Sequence, residues 1–344
     1  MAASVMLPTP VARPLADRHG RVADDLRISL TERCNLRCTY CMPAEGLPLA
    51  PDESLMTRAE IARLTRIAVR DLGVRSVRLT GGEPLLRRDL IEIVGDLSEL
   101  DVDLSLTTNA VGLASRAQAL VDAGLQRINV SLDTLDPTHA QLLSRRSLLP
   151  RVLEGIDAAE VAGLSPIKVN AVLMPGINDG EDAAQLLEWC LDRDFELRFI
   201  EQMPLDADRV WDARTFVPAA RVREILDGAG YRLRPHPAPR EGAPAERFEV
   251  LGEDGSTRGT IGIIASISEP FCADCRRTRL TSQGTIRHCL FARTETDLLT
   301  ALREGADDDA LADLWREAMW GKPAGHGIDE NFEAPERSMS QIGG

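Results

Sequence analysis

The chain of 344 residues has almost no lysine: of its 40 basic residues only Lys168 and Lys322 are not arginine. It also lacks a basic surplus, since 54 acidic residues leave a formal net charge of −14. General binding to nucleic acid or to an acidic membrane needs a basic excess, so neither partner is expected. A local basic pocket for an anion stays open. No run of eighteen apolar residues occurs, so no transmembrane helix is expected. Met1 to Gly20 is rich in Pro, Ala and Arg, without a continuous apolar stretch and a cleavage site. No secretory signal is read there, and a reducing, cytoplasmic setting is the expectation. Finally, no Gly-x4-Gly-Lys-Ser/Thr loop is present, so a polyphosphate would have to be held by dispersed cations.

Against these absences stand seven cysteines, six of them in two groups. In a reducing compartment grouped cysteines serve as metal ligands or in catalysis more often than as disulfides. Cys190 stands alone in a helical pattern and reads as a small core residue.

The first two-thirds of the chain alternates strand and helix. Strands are expected at Leu26–Leu30, Val74–Thr80, Val102–Thr107, Arg127–Leu132, Ile167–Leu173 and Glu196–Ile200. Helical patterns fall between them, at Leu90–Leu100, Ser115–Ala123, Arg151–Ala162 and Asp182–Asp192. This rhythm implies parallel βαβ units, and about six of them suggest an incomplete TIM-like barrel. Successive side chains in a strand point to opposite faces. Val77 and Leu79 thus oppose Ser76, Arg78 and Thr80; Val169 and Ala171 oppose Lys168 and Asn170; Leu197 and Phe199 oppose Glu196 and Arg198. A buried parallel strand is normally apolar on both faces. The polar face therefore reads as a lumen lined for a charged ligand, with an exposed face on an open sheet as the alternative.

After about Phe216 the rhythm changes to a helix at Pro218–Asp227, a Pro-rich loop at Pro235–Pro244, a hairpin from Phe248–Leu251 and Thr260–Ile264, and a last helix near Asp309–Trp320. The chain is divided near residue 225, giving residues 1–225 as the barrel and 226–344 as a smaller C-terminal domain.

The first strand runs into Cys34-Asn35-Leu36-Arg37-Cys38-Thr39-Tyr40-Cys41. Three thiolates can hold three corners of a four-iron cluster and leave the fourth iron open, as a catalytic site requires. The alternative is zinc completed by a distant His or Cys. The second group is Cys272-Ala273-Asp274-Cys275, with Cys289 after thirteen intervening residues. Zinc with His288 is the alternative there, but His288 adjoins Cys289, and neighbours on an extended chain point apart. If the segment after Cys275 is extended, Arg277 and Arg279 share a face and can grip one anion.

The first triplet, with an aromatic before its last Cys, resembles the signature of the radical S-adenosylmethionine superfamily. Gly81-Gly82-Glu83-Pro84, Thr107-Thr108-Asn109 and Ser131-Leu132-Asp133, each at the end of an expected strand, add to that resemblance. The two triplets together, with Asp25-Leu26-Arg27-Ile28-Ser29, Arg198-Phe199-Ile200-Glu201-Gln202-Met203-Pro204 and the terminal Gly343-Gly344, resemble the GTP 3′,8-cyclases of molybdenum-cofactor synthesis from about Leu15 to Gly344. The resemblance implies two [4Fe-4S] clusters, held by Cys34, Cys38 and Cys41 and by Cys272, Cys275 and Cys289, and S-adenosylmethionine as cofactor. It implies S-adenosylmethionine at Tyr40, Gly82, Ser131 and Met203, with Asn170 near it. It implies GTP as substrate, at Arg27, Arg78, Thr107, Lys168, Arg198, Arg277 and Arg279. Arg27, Arg277, Arg279, Gly343 and Gly344 take catalytic places. Ser76 stands where a basic residue is expected. An electron donor is implied, a monomer or homodimer is expected, and direct contact with the next enzyme of the pathway stays open. A peptide-modifying enzyme of the same superfamily and a non-enzymatic iron–sulfur sensor are the remaining alternatives.

Overall fold

A computed structural model describes residues 13–342, except 207, 210, 329–331 and 336. Twelve strands form one sheet. They are β1 (Asp25–Ser29), β2 (Ser76–Thr80), β3 (Asp103–Thr108), β4 (Arg127–Ser131), β5 (Ile167–Leu173), β6 (Glu196–Glu201), β7 (Arg232–Pro235), β8 (Glu246–Leu251), β9 (Thr257–Ile264), β10 (Arg277–Leu280), β11 (Thr285–Arg287) and β12 (Thr296–Asp297). The helices are α1 (Arg58–Arg70), α2 (Leu90–Ser98), α3 (Ala117–Asp122), α4 (Pro137–Ser144), α5 (Leu149–Val161), α6 (Glu181–Asp192), α7 (Ala219–Gly228), α8 (Leu299–Arg303), α9 (Asp308–Trp320) and α10 (Met339–Ile342).

Strands β1 to β6 lie side by side in chain order, all parallel, and form the expected incomplete six-unit barrel. The sequence did not show how the barrel is extended. Strand β9 joins β6 and β10 joins β1, both in parallel. The parallel run is therefore β10-β1-β2-β3-β4-β5-β6-β9, flanked by antiparallel hairpin strands. Residue 225 lies within α7, and the strands that follow it add to both edges of the barrel sheet.

Apolar side chains alternate with polar ones as the sequence pattern requires. Val77, Leu79, Val169, Leu197 and Phe199 are buried in one core that also holds Leu280, Ile286 and Leu311 from the C-terminal segment. Cys190 is fully buried in this core. Helix α1 starts on a capping box: Thr57 Oγ1 accepts from the Glu60 amide, and the Thr57 amide donates to Glu60 Oε2 at 2.7 Å. Such a box satisfies two amides that the first helical turn leaves unpaired. Among the described residues no helix is long and apolar enough to cross a membrane.

Strand β10 is held in place from beneath by α9. Trp315 is fully buried, and its indole Nε1 donates to Thr278 Oγ1 at 3.0 Å. Trp315→Ala opens a large cavity and orphans that hydroxyl, at a cost of about 3–5 kcal/mol. Denaturant unfolding should show the loss directly; a midpoint equal to that of the parent chain would contradict this role for α9.

Candidate active site

The polar faces of the strands enclose a cavity of about 240 Å³. Arg27, Arg78, Thr107, Arg198, Arg277 and Arg279 line it, together with Tyr40, Gly82, Ser131, Asn170, Met203 and the three cysteines of the first group. The lumen reading is thereby preferred to the exposed-sheet alternative.

Strand register places the cations. Arg27 on β1 is the direct neighbour of Arg279 on β10 and of Arg78 on β2. Arg277 lies two residues before Arg279 and stacks its guanidinium 4.7 Å from the Phe271 ring centre. From the other side, Arg198 on β6 is the neighbour of Asn170 on β5. Like charges opposite one another destabilise a sheet, and burial removes the water that would screen them. Burial and then the adjoining guanidinium charge of Arg27 pull Arg78 down to about 9. Burial pulls Arg27 to about 10, although Asp25 opposes the shift. Asp25 is half-buried beside Arg27, Arg78, Arg277 and Arg279, which together outweigh its desolvation and hold it below the usual carboxylate range. Its nearest oxygen is 3.8 Å from Arg27 Nη2.

Lys168 lies one layer deeper, outside the cavity lining. Its ammonium is 3.4 Å from Glu196 Oε2, and Glu196 also accepts from Arg198 Nε at 2.6 Å. Burial and Arg198 pull Lys168 to about 8. Ser76 is paired across the sheet with Asp25 and Asp103, not with a cation.

The first cysteine loop is fixed by backbone contacts. Arg37 Nη1 donates to the carbonyls of Cys34 and Leu36, at 2.6 and 2.8 Å. The Gly82 amide donates to Thr31 O at 2.7 Å, and the Glu83 amide to Arg33 O at 2.7 Å. A Cβ on Gly82 would collide with the Arg33 carbonyl. Glycine is thus needed there for two loops to close on each other, a close approach that only the absent side chain permits. Glu83 turns inward and accepts from Thr108 Oγ1 and the amides of Asn109 and Leu85. Burial nevertheless raises it to about 7. Tyr40 donates its hydroxyl to Asp133 Oδ2 at 2.7 Å, and burial raises Asp133 to about 6.

Within each triplet the thiols act on one another electrostatically, Cys38 with Cys34 and Cys41, and Cys272 with Cys275 and Cys289. Burial disfavours the thiolates at Cys34, Cys38 and Cys41, pushing Cys41 up to about 12. Burial also opposes the Cys275 thiolate, but Arg277 and Lys322 outweigh it and bring Cys275 to about 6. Cys272, Cys275 and Cys289 lie behind the arginines, outside the cavity lining. Among the described residues no three His, Cys, Asp or Glu side chains converge as a single metal ion requires.

The donor chemistry fits soft, negatively charged iron–sulfur groups and an anionic ligand between them. Arg27 Nε and Nη2, Arg277 Nε and Asn170 Oδ1 are buried without a hydrogen-bond partner in the ligand-free chain. Such groups are costly unless a ligand completes them. The sequence reading passed over Asp25 and Glu196 as counter-charges, and Met339 and Ser340, which line the cavity from α10. Gly343 and Gly344 lie outside the described residues.

This imbalance has a measurable consequence. Arg78→Met removes a half-buried like charge, so the ligand-free chain should keep its stability or gain on the order of 1 kcal/mol. Affinity for a triphosphate should fall by about 10–100-fold through loss of a charge-assisted contact. Marked destabilisation of the ligand-free chain would contradict the charge imbalance.

Known proteins resemble this chain in sequence and fold. A model of the radical SAM superfamily matches residues 28–190, and one described as Molybdenum Cofactor Synthesis C matches residues 195–328. The GTP 3′,8-cyclase of Paenarthrobacter nicotinovorans is 53% identical, over 97% of this chain and all of that protein. That of Rhodococcus opacus is 55% identical, over 96% of this chain and 93% of the relative. The fold is shared with the crystal structure of Streptococcus suis SuiB bound to S-adenosylmethionine. Their TM-score is 0.61 at 17% identity, covering 90% of this chain and 68% of that one. With its two matched segments and full-length relatives at this identity, the chain belongs to the GTP 3′,8-cyclase family of radical SAM enzymes.

Proposed function

We propose that the chain converts GTP to (8S)-3′,8-cyclo-7,8-dihydroguanosine 5′-triphosphate, the first step of molybdenum-cofactor biosynthesis. The observation that carries this reading is the register of Arg279, Arg27 and Arg78 in a cavity lined by the first cysteine triplet, with the second triplet behind the arginines. When bound, the first cluster with S-adenosylmethionine supplies the hydrogen-abstracting radical chemistry that joins C3′ of the ribose to C8 of guanine, and the second cluster supplies a contact to guanine and an electron.

The chain's own residues hold, orient and shield. Cys34, Cys38 and Cys41 would hold the first cluster, and Cys272, Cys275 and Cys289 the second. Tyr40, Gly82, Ser131, Asn170 and Met203 border the space for S-adenosylmethionine beside the first triplet. Asn170 Oδ1 offers a free acceptor there. Arg27, Arg78 and Arg279, with Arg198, Thr107 and the deeper Lys168, receive the nucleotide and its phosphates, while Arg277 links it to the second cluster. Charge-assisted contacts to phosphate are strong, and here the donors are already fixed in place. Helix α10 borders the first triplet: Met339 donates its amide to Leu205 O, and Met339 and Ser340 line the cavity together with Cys41. Gly343 and Gly344, outside the described residues, take the catalytic places that the family resemblance implies. A partly enclosed lumen limits the access of water to a reactive intermediate.

The same reading takes the chain as a barrel to residue 225 with a C-terminal domain beyond it, as a monomer or homodimer. It places the enzyme in the cytoplasm with an external electron donor.

The test is formation of 5′-deoxyadenosine by the reduced, anaerobically reconstituted protein. It should depend on GTP. Formation regardless of GTP would remove the substrate; no formation with both clusters intact would favour an iron–sulfur sensor. Simultaneous replacement of Cys272, Cys275 and Cys289 by Ala should leave the first cluster in place and abolish the cyclised product. Normal cyclisation by that variant would refute the role of the second triplet.

A further inference from the structure

The chain's other lysine has no part in the nucleotide site. Lys322 follows α9 and is 3% exposed. Lysine is rarely buried unless its ammonium is paired. Among the described residues no carboxylate lies within ion-pair distance of Lys322 Nζ. The ammonium instead donates to Arg277 O at 2.8 Å, Cys275 O at 3.1 Å and Cys275 Sγ at 3.4 Å.

This placement is built into the fold. Arg21 donates to Pro323 O at 2.6 Å, Ala324 O at 3.0 Å and Cys272 O at 2.6 Å. It therefore ties the segment after Lys322 to the first cysteine of the same triplet. Arg21 is neutralised by Asp17, whose Oδ2 accepts from its Nε at 2.5 Å. The residue type is also specific. An ammonium carries three donors on one compact nitrogen and can meet two carbonyls and a sulfur at a single point. Guanidinium is a planar fork that spreads its donors. In a chain that otherwise uses arginine, this position holds lysine.

We propose that Lys322 is a positioning residue that sets the reduction potential of the second cluster by placing a fixed positive charge and a donor on its Cys275 ligand. Net charge and hydrogen bonds to ligand sulfur are established determinants of cluster potential. A cation at the sulfur favours the reduced, more negative form and so raises the potential. The inference rests on the reading of Cys272, Cys275 and Cys289 as cluster ligands.

The experiment uses the full chain with Cys34, Cys38 and Cys41 replaced by Ala, reconstituted so that only the second cluster is present. Its midpoint potential is followed by spectroscopic redox titration with Lys322 intact, as Lys322→Gln and as Lys322→Met. Glutamine keeps N–H donors without the charge; methionine keeps neither. Both variants should titrate at more negative potential, methionine further than glutamine. An unchanged midpoint in Lys322→Gln with full iron content would overturn the proposal. If Lys322→Met alone loses its iron, the glutamine midpoint decides. Loss of iron from both variants would make Lys322 an assembly residue and overturn the proposal as well. A parent that holds no cluster would instead remove the second-cluster reading on which the inference rests.

Discussion

Guanidinium groups on adjoining strands, buried and in register, repel one another, and this repulsion constrains the whole molecule. Arg279, Arg27 and Arg78 stand on three neighbouring strands, with Asp25 as the half-buried acid beside them. A sheet tolerates that arrangement only where its other face gains enough from burial to hold the strands together. The opposite face does so: Leu26, Ile28, Val77, Leu79 and Leu280 are buried in the common core. Part of the cost persists in the ligand-free chain, as unpartnered nitrogens on Arg27 and Arg277. An anion with several charges removes it, so the site is strained toward its substrate and not toward water.

The same constraint explains why the C-terminal segment returns to the barrel. Two of the cations, Arg277 and Arg279, are carried by β10, which joins β1 long after the barrel units are complete. The strand that completes the cationic register also follows Cys275 directly, so the cationic cavity and the second triplet share one element. Trp315 from α9 anchors this element from below through Thr278. Lys322, just beyond α9, reaches its carbonyl and thiol groups. Helix, strand and cysteine loop thus form one mechanical unit, and the charge of the site cannot be separated from the fold that supports it.

Much of this was legible in the sequence. The six barrel strands appear within two residues of their expected bounds, because alternation of apolar and polar side chains is a direct record of a two-faced strand. Arg78, Asn170 and Arg198 were legible because alternation also says which side chains share the lumen, whereas Arg27, Tyr40, Gly82 and Met203 were legible only through the family resemblance. Helix α1 was overlooked, although Thr57-Arg58-Ala59-Glu60 is a capping-box pattern. Helix α4 was overlooked as well, behind Asp136-Pro137, a cap followed by proline in the first turn. Strands β10 to β12 are two to four residues long, too short for periodicity, and β10 reads locally as a basic run. Only long-range pairing makes it a barrel strand. Asp25 as counter-charge, and Lys322 against Cys275, depend on residues about 250 and 47 positions apart, a relation no local pattern records.

The central claim is that buried arginine repulsion is relieved by the phosphates of the substrate. The most direct measurement compares the affinities of GMP, GDP and GTP for the cluster-loaded protein at one ionic strength. Relief of repulsion predicts a steep rise with each phosphate, on the order of tenfold or more per charge-assisted contact. Equal affinities for GMP and GTP would mean that the arginines do not receive the phosphates, and the account would fail.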